Sequence, residues 1–151
     1  MVYNPAYKGQ IKLLHPYAKI PEYSTPGSSG MDVYAIDDGI LYPGEIKVIP
    51  FGIAMAVPRH YEIQVRARSG LAAKFGIGMV NGVGTVDSDY RGEIKGIFCN
   101  HGKHPWKWIR GDRIAQLVVQ KLYLQRLAFG VVDEFAEKTR RGEGGFGSTG
   151  D

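Results

Sequence analysis

Turn-forming residues divide this chain of 151 residues into short pieces, and their spacing constrains the fold more than any other feature of the sequence. Glycine supplies 21 residues and proline 8, and the glycine content is about twice the usual ~7%. Six short extended runs lie before residue 70, at intervals of roughly ten residues, and this spacing is typical of a β-sandwich or a β-barrel. We therefore expect one all-β domain that contains little helix.

The apolar and alternating runs predict the individual strands. Their expected bounds are Ile11–Leu14, Met31–Ile36, Ile46–Ile49, Ile53–Val57, Tyr61–Ala67, Glu93–Asn100 and Arg113–Leu124. One segment predicts a short helix, with Ser69 as its N-cap and Gly76 as its stop. Residues 21–30 are so rich in turn formers that we expect only loop there. Trp106 and Trp108 have the spacing of core residues on one face of a strand.

We expect three parts within this single domain of residues 1–151. Residues 1–10 form a loose leader, residues 11–132 the β core, and residues 133–151 a mobile tail. The tail contains five glycines. Ordering glycine costs conformational entropy, so we expect the tail to order only with a partner.

The tail also carries groups that suit a phosphorylated planar ligand. Its backbone N–H groups and the donors of Arg141, Ser148 and Thr149 suit a polyphosphate. Phe146, which no local core could bury, would stack on a planar ring. The alternative is a frayed terminus without a function. A P-loop is excluded because the lysine of that motif is missing.

Composition excludes several classes of protein. The net charge of +4 lacks the clustered Lys/Arg stripe of a duplex DNA-binding protein. The single cysteine, Cys99, excludes a disulfide scaffold. No apolar run approaches the ~18 residues of a membrane span, and no signal peptide follows Met1. We therefore expect a cytoplasmic protein without a nucleic-acid or membrane partner. Cys99, His101 and His104 lack the second ligand pair of a structural zinc site.

The segment Arg66–Ala72 combines arginines with the start of the predicted helix. Free N–H groups and the helix dipole favour an anion at a helix N-terminus. Arg68, Ser69 and Gly70 are therefore candidate phosphate-binding residues. The plainer interpretation is an N-cap flanked by two surface arginines.

The segment Asn81–Gly92 carries two carboxylates and a tyrosine on a glycine-rich stretch. If Val86 points into the core, strand alternation turns Asp87 toward the opposite face. In a cleft, the carboxylate of Asp87 could act as a general base on water. The alternative is an Asx-turn, in which this carboxylate caps its own backbone.

Two weaker candidates lie on other predicted strands. Within Gly111–Leu117, alternation places Arg113 and the next two odd-numbered residues on one face, with Ile114 and Gln116 on the other. The amide of Gln116 could donate to a phosphate, although a sheet-surface glutamine is the plainer interpretation. Asp32 lies at the start of a predicted strand, and this position alone does not indicate a function.

Taken in order, five segments resemble the motifs of the trimeric dUTPase family. They are Gly30–Ala35, Arg66–Ala72, Asn81–Gly92, Gly111–Leu117 and Gly144–Gly150, and the resemblance covers about Ile11 to Gly150. It implies an all-β jelly-roll (β-clip) barrel with one short helix and a flexible glycine-rich tail. It implies a homotrimer with each active site built from all three chains. It also implies hydrolysis of dUTP to dUMP and pyrophosphate with Mg²⁺, which limits uracil in DNA and supplies dUMP for thymidylate synthesis.

The resemblance assigns the third segment to the base, the sugar and the reaction. Asp87 would be the general base for in-line attack of water on the α-phosphorus. Tyr90 would pack under the deoxyribose and refuse a 2′-hydroxyl. Asn81, with the backbone near Lys95, would read the uracil edge in a hairpin too narrow for the thymine methyl. Two further substrate-binding residues are implied here, Thr85 and Val86.

The other segments are assigned to the triphosphate. Arg68, Ser69 and Gly70 would grip the phosphates with the help of Gln116, and Asp32 would reach the metal through water. In the tail of a neighbouring subunit, Phe146 would stack on uracil and the remaining residues would close over the γ-phosphate. These remaining residues are Arg141, Gly147, Ser148 and Thr149.

The resemblance leaves two alternatives open. A dCTP deaminase, or a bifunctional deaminase–dUTPase, shares the fold, but the deaminase generally lacks the closing glycine-rich motif and uses a Glu where this chain has Asp87. A noncatalytic nucleotide-sensing or protein-binding module could also keep the fold. Ammonia released from dCTP would reveal the deaminase, and decayed motifs would indicate the module. Ala67 stands where members often carry proline.

Overall fold

Short strands dominate the computed structural model, which describes residues 9–123, 130–134, 136 and 139. Within these residues the strands are β1 Gln10–Leu13, β2 Glu22–Tyr23, β3 Met31–Tyr34, β4 Gly39–Leu41, β5 Ile46–Pro50, β6 Ile53–Ala56, β7 Tyr61–Ala67, β8 Ile77–Met79, β9 Val83–Val86, β10 Lys95–Asn100, β11 Trp106–Trp108 and β12 Arg113–Lys121. One helix, α1 Ser69–Phe75, follows β7. In this described part, no helix has the length and apolar character needed to span a membrane. The predicted all-β class is confirmed.

The strands form four antiparallel sheets. The largest has the order β2-β3-β12-β7-β9, the second has the order β5-β10-β8, and two pairs, β1-β6 and β11-β4, complete the set. The core between them is apolar and partly aromatic. The rings of Phe51 and Phe98 lie 6.5 Å apart, and those of Trp106 and Trp108 lie 4.9 Å apart. Both tryptophans are buried, as their spacing predicts.

The five-stranded sheet separates an apolar face from a polar face. Val65 of β7 pairs with Leu117 of β12, and both are buried in the core. The next row, on the opposite face, runs from Asp32 through Gln116 to Arg66 across β3, β12 and β7. Because successive side chains of a strand alternate between faces, these three polar residues share one surface.

The predicted alternation along β12 is wrong at its start. Ile114 and Ala115 are adjacent, yet both are fully buried. The pairing register with β3 shifts between Arg113 and Ala115, as at a β-bulge, and a bulge gives a strand one extra residue locally. Gln116 keeps its predicted place on the polar face.

The helix α1 begins differently from the prediction. The N-cap position belongs to Arg68, which is extended at φ −85° and ψ 128°, and no side chain caps the helix. Ser69 is therefore the first helical residue, and its hydroxyl is not used as a cap. The predicted stop is confirmed, since Gly76 has a left-handed φ of 70°. A Cβ there would also lie 2.7 Å from the backbone nitrogen of Gly102.

Several predicted bounds shift by a few residues. The segment expected to be only loop contains strand β2, and the expected leader ends one residue early because Gln10 begins β1. Strand β12 ends at Lys121, short of the predicted Leu124. The predicted division into leader, core and tail remains a prediction. The tail residues singled out from the sequence, Arg141, Phe146, Gly147, Ser148 and Thr149, lie outside the described residues.

Candidate active site

One cavity of about 300 Å³ gathers all the predicted residues of the third sequence segment. We call it the β9 cavity. The predicted residues that line it are Asn81, Thr85, Val86, Asp87, Tyr90 and Lys95. The rest of its wall consists of Val48, Val65, Gly84, Glu93, Ile94 and Ile97. It therefore combines an apolar wall with a few polar groups, as small-molecule sites do.

The segment of residues 77–86, which borders the β9 cavity, does not form the expected hairpin. Strand β8 pairs with β10, whereas β9 pairs with β7 in the other sheet. The turn between them uses Gly82, at φ 66°, and Val83 donates its N–H to the carbonyl of Asn81 at 2.7 Å. A Cβ on Gly84 would lie 3.2 Å from Cβ of Val65. Backbone and glycine thus shape this cavity where the two sheets diverge.

Asp87 lies at the end of β9 with its carboxylate exposed. Val86 is buried, so the predicted alternation of these two residues is confirmed. The backbone carbonyl of Asp87 accepts the N–H of Tyr90 at 3.1 Å. Within the described part of the chain, its side chain has no hydrogen bond or ion pair, so the Asx-turn alternative does not hold. The carboxylate is free to accept a proton from a water molecule.

The hydroxyl and the backbone of Tyr90 each make a hydrogen bond. Its hydroxyl donates to the carbonyl of Glu93 at 3.1 Å, and Arg91 donates to the carbonyl of Tyr90 at 2.7 Å. A Cβ on Gly92 would lie 2.3 Å from the tyrosine oxygen. Only glycine therefore leaves the ring where it is. The ammonium group of Lys95, which also lines the cavity, lies 3.6 Å from the carboxylate of Glu93.

A second cavity, of about 400 Å³, gathers the residues predicted to hold phosphates. We call this cavity, together with the residues that line it, the arginine cluster. The predicted residues that line it are Asp32, Arg68, Ser69, Gly70 and Gln116. Its other residues are Ser24, Ser28, Ser29, Gly30, Arg66, Arg113 and Val118. Strands β3, β7 and β12 bring these residues together from distant parts of the sequence.

Asp32 is the centre of the arginine cluster. It is only 9% exposed, and it accepts hydrogen bonds from Arg68 Nε at 3.0 Å, Arg113 at 3.1 Å and the Ser24 hydroxyl at 3.1 Å. A buried carboxylate is tolerated when it is paired and hydrogen-bonded in this way. Asp32 thus fixes two guanidinium groups at the edge of one cavity.

Arg66 and Arg113 were not among the candidate residues. Arg113 stands inside one of the quoted segments, but its partner Asp32 is 81 residues away in the chain, so spacing could not reveal the pair. Arg66 stands two residues before Arg68 on β7. That spacing places the two on one face of an extended strand and was the available signal.

The donor set at the arginine cluster fits a magnesium ion only in part. Within the described residues, no three His, Cys, Asp or Glu side chains form a group that could hold a metal. Mg²⁺ usually keeps several waters and is bound by one or two carboxylates with substrate phosphates. Of the roughly four acceptor sites of a carboxylate, Asp32 has three filled, which leaves room for one water on Oδ1. The cluster fits an ion that arrives on a polyphosphate.

The β9 cavity and the arginine cluster lie on different faces of one sheet. Val65 lines the former, and its neighbour Arg66 lines the latter. The two cavities share no lining residue. A ligand in the first cavity therefore contacts the opposite face of this sheet from a ligand in the second cavity.

Comparison with known proteins decides the family. Residues 16–150 match the family model described as dUTPase. The chain belongs to the dUTPase family. The deoxyuridine 5'-triphosphate nucleotidohydrolase of Anaeromyxobacter sp. (strain Fw109-5) is 48% identical over 135 residues, 89% of this chain and 90% of that protein. The enzyme of the same name from Helicobacter pylori (strain Shi470) is 46% identical over 143 residues, 95% of this chain and 97% of its own.

Solved structures agree with this assignment. The Staphylococcus bacteriophage 80alpha dUTPase with dUpNHpp is similar with a TM-score of 0.85 and 26% identity, over 95% of this chain and 99% of that chain. The jelly-roll fold and the prediction of a dUTP diphosphatase are confirmed. The roles given to individual residues remain predictions.

Proposed function

We propose that this chain hydrolyses dUTP to dUMP and pyrophosphate, with Asp87 as the general base. The observation that carries the proposal is the exposed carboxylate of Asp87, which has no partner among the described residues, at a cavity that also presents Asn81, Tyr90 and Lys95. A carboxylate held beside a water can take its proton as the oxygen attacks phosphorus. Phosphoryl transfer otherwise requires positioning and charge stabilisation, so no covalent intermediate is needed.

The β9 cavity would select the base and the sugar. Asn81 and the backbone near Lys95 would hydrogen-bond the uracil edge, and Tyr90 would fill the space of a 2′-hydroxyl. The hydrogen bond from the Tyr90 hydroxyl to the carbonyl of Glu93 supports this role because it orients the ring that would fill this space. An added methyl in a loose apolar pocket changes the rate only about 10- to 200-fold.

The arginine cluster would hold the phosphates. Arg68, Arg113 and the amide of Gln116 offer charged and neutral donors, and Ser69 and Gly70 offer the free N–H groups at the start of α1. Bound to the triphosphate, Mg²⁺ would neutralise part of its charge. Asp32 would meet that ion through one water while it retains both arginines.

We propose that the working enzyme is a homotrimer with shared active sites. The two cavities lie on different faces of one chain, so a single nucleotide requires the β9 cavity of one copy and the arginine cluster of another. Helix α1 supports this, because it borders the cluster and none of its residues is buried. A helix of seven residues is only marginally stable by itself, and a second copy packed against α1 would stabilise it.

The tail beyond residue 132 would close the site from a neighbouring subunit. Removal of residues 142–151 should then reduce turnover severely while the oligomer persists in sedimentation analysis. Unchanged turnover in this truncated chain would refute the lid.

The deaminase alternative is the weaker proposal. The relatives compared above are named nucleotidohydrolases, and Asp87 stands where the deaminase would use a glutamate. Ammonia release from dCTP remains the direct test.

The proposed function is tested by pyrophosphate release with Mg²⁺ from dUTP, dTTP, dCTP and UTP at equal concentration. Release from dUTP alone is expected, because the β9 cavity would exclude both the thymine methyl and the 2′-hydroxyl. Equal release from dTTP or UTP would contradict the role given to that cavity. Absence of release from all four, with the protein folded, would contradict the reaction.

A further inference from the structure

Arg66 lies at the arginine cluster without a role in any of the assignments above. Gln116 pairs with Asp32 on one side and with Arg66 on the other, so the three residues form one row across three adjacent strands. All three line the same cavity. Directly paired residues in such a row have Cβ atoms about 5 Å apart. Arg66 therefore lies within reach of a ligand that contacts Gln116.

The charge of Arg66 is the least compensated in the cluster. Arg68 and Arg113 share the carboxylate of Asp32. Arg66 is exposed and, among the described residues, has no ion pair. Three arginines and one carboxylate give this cavity a formal charge of +2. Arg66 contributes one of these two charges, and the other remains on the pair of arginines that shares Asp32.

A chain of hydrogen bonds holds Arg66 in place without neutralising it. Both Nε and a terminal nitrogen of Arg66 donate to the amide oxygen of Gln64, with 3.0 Å for the Nε contact. Gln64 in turn donates to Glu62 at 2.6 Å. These residues alternate along β7 on the polar face. A neutral amide thus fixes the direction of a guanidinium and leaves its charge for a ligand, and such preorganisation reduces the entropy cost of binding.

We infer that Arg66 binds the β- and γ-phosphates of the nucleotide and that Gln64 is its positioning residue. This rests on the proposed function, in which the α-phosphorus lies beside Asp87 at the β9 cavity of another copy. Only the distal phosphates then remain for the cluster. Arg66 should therefore contribute to the affinity for a triphosphate and not to that for a monophosphate.

The test compares two ligands in calorimetric titrations of the full chain. Arg66→Ala should weaken the binding of the triphosphate analogue dUpNHpp about tenfold or more, the effect of one lost hydrogen-bonded charge, and leave the Kd of dUMP within about twofold. The matched control is Arg110→Ala, since Arg110 is exposed, stacks on Tyr17 at 3.8 Å and lines neither cavity. This control should change neither Kd.

Gln64→Leu gives a second measurement. It keeps Arg66 but removes its hydrogen-bond acceptor, so the affinity for dUpNHpp should fall by a smaller factor and dUMP binding should again be unchanged. Arg66→Lys, which retains a charge without the fork of donors, should recover part of the triphosphate affinity.

Three outcomes would overturn the inference. They are an unchanged Kd for dUpNHpp in Arg66→Ala, an equal loss for dUpNHpp and dUMP, and a loss explained by dissociation of the oligomer in sedimentation analysis. If Arg66→Ala fails to fold, the first two outcomes are judged on Arg66→Gln, which also removes the charge but keeps a longer polar side chain. Hydrolysis of dUTP by the unaltered chain is measured alongside, because its absence would refute the proposed function and not the role of Arg66.

Discussion

The β9 cavity and the arginine cluster offer a ligand different physical means of recognition. The former is shaped by backbone, glycine and a tyrosine ring, and its charged side chains, Asp87, Glu93 and Lys95, are of both signs. The latter is a concentration of paired charges whose geometry depends on one buried carboxylate. From this difference we expect the shape of the β9 cavity to exclude the wrong substrates and the charge of the arginine cluster to attract the triphosphate. Substitutions in the β9 cavity should therefore change which substrate reacts, whereas substitutions in the cluster should change how tightly any triphosphate binds.

The largest expected effect separates reaction from binding within the β9 cavity. Asp87→Asn removes the base and keeps the shape, so kcat should fall by about 10²- to 10⁴-fold. The Kd of dUpNHpp should change little. Steady-state kinetics and calorimetry measure the two quantities. Asp89→Asn is the matched control, because Asp89 lies two residues away but does not line this cavity. Unchanged turnover in Asp87→Asn would refute the assignment of the base.

The next effect sharpens the claim that shape excludes. Tyr90→Ala removes the ring, so kcat/KM for UTP relative to dUTP should rise by about tenfold or more. Tyr90→Phe retains the ring and loses only the hydrogen bond to Glu93, so it should keep the discrimination. Competition between the two substrates in one assay gives the ratio directly. If Tyr90→Phe admits UTP as readily as Tyr90→Ala, the hydroxyl and not the ring provides the exclusion.

A smaller effect tests the role of charge pairing in the arginine cluster. Asp32→Asn leaves Arg68 and Arg113 without their shared carboxylate, so the free energy of unfolding should fall by about 1–2 kcal/mol, an estimate lowered because Arg113 is half exposed. The KM for dUTP should rise more than kcat falls. Urea denaturation and kinetics measure these changes. Glu22→Gln, the next residue in the same row on β2, is the control and should change neither quantity. Comparable losses in both variants would mean that general surface charge and not the Asp32 pairing is responsible.

The smallest effect concerns a carboxylate outside both cavities. The backbone N–H of Tyr42, and then Lys47, hold the pKa of Glu45 below its ordinary value of 4.5. The stabilisation from its ionised form is therefore present above that value and is lost as pH falls through the lowered pKa. Glu45→Gln should reduce Tm slightly at neutral pH, with a difference that vanishes in acid. Thermal denaturation at several pH values measures this, and a constant difference would refute the titration of Glu45. Hydrolysis of dUTP should be unaffected.

Local alternation predicted one feature of the β9 cavity, the exposed carboxylate of Asp87, whereas the other candidate residues of this cavity were implied by the family resemblance. The alternation of Val86 and Asp87 gave the exposure of the carboxylate, and Gly76 marked the end of the helix. The candidate residues of that cavity lie close together in the chain, within residues 81–95, although Val48 and Val65 also line it.

The arginine cluster could not be predicted to the same degree. Asp32 meets Arg68 and Arg113 only because β3, β12 and β7 are neighbours in the sheet, and such pairings are not visible in spacing. The bulge beside Ile114 reverses a local alternation, and nothing in the neighbouring residues indicates it. The cap expected from Ser69 also failed, because Arg68 occupies the N-cap position and is bound to Asp32.

Strand β7 has a consequence for mixtures of intact and damaged chains. In the proposed homotrimer, its adjacent residues Val65 and Arg66 would belong to the β9 cavity of one active site and to the arginine cluster of another. In a shared oligomer, a chain with a lesion in only one cavity would disable one site, and chains with complementary lesions would together form some intact sites. A chain whose β7 is distorted would disable two sites at once. When such a variant is expressed together with the normal chain, it would lower the total activity by more than its share of the chains.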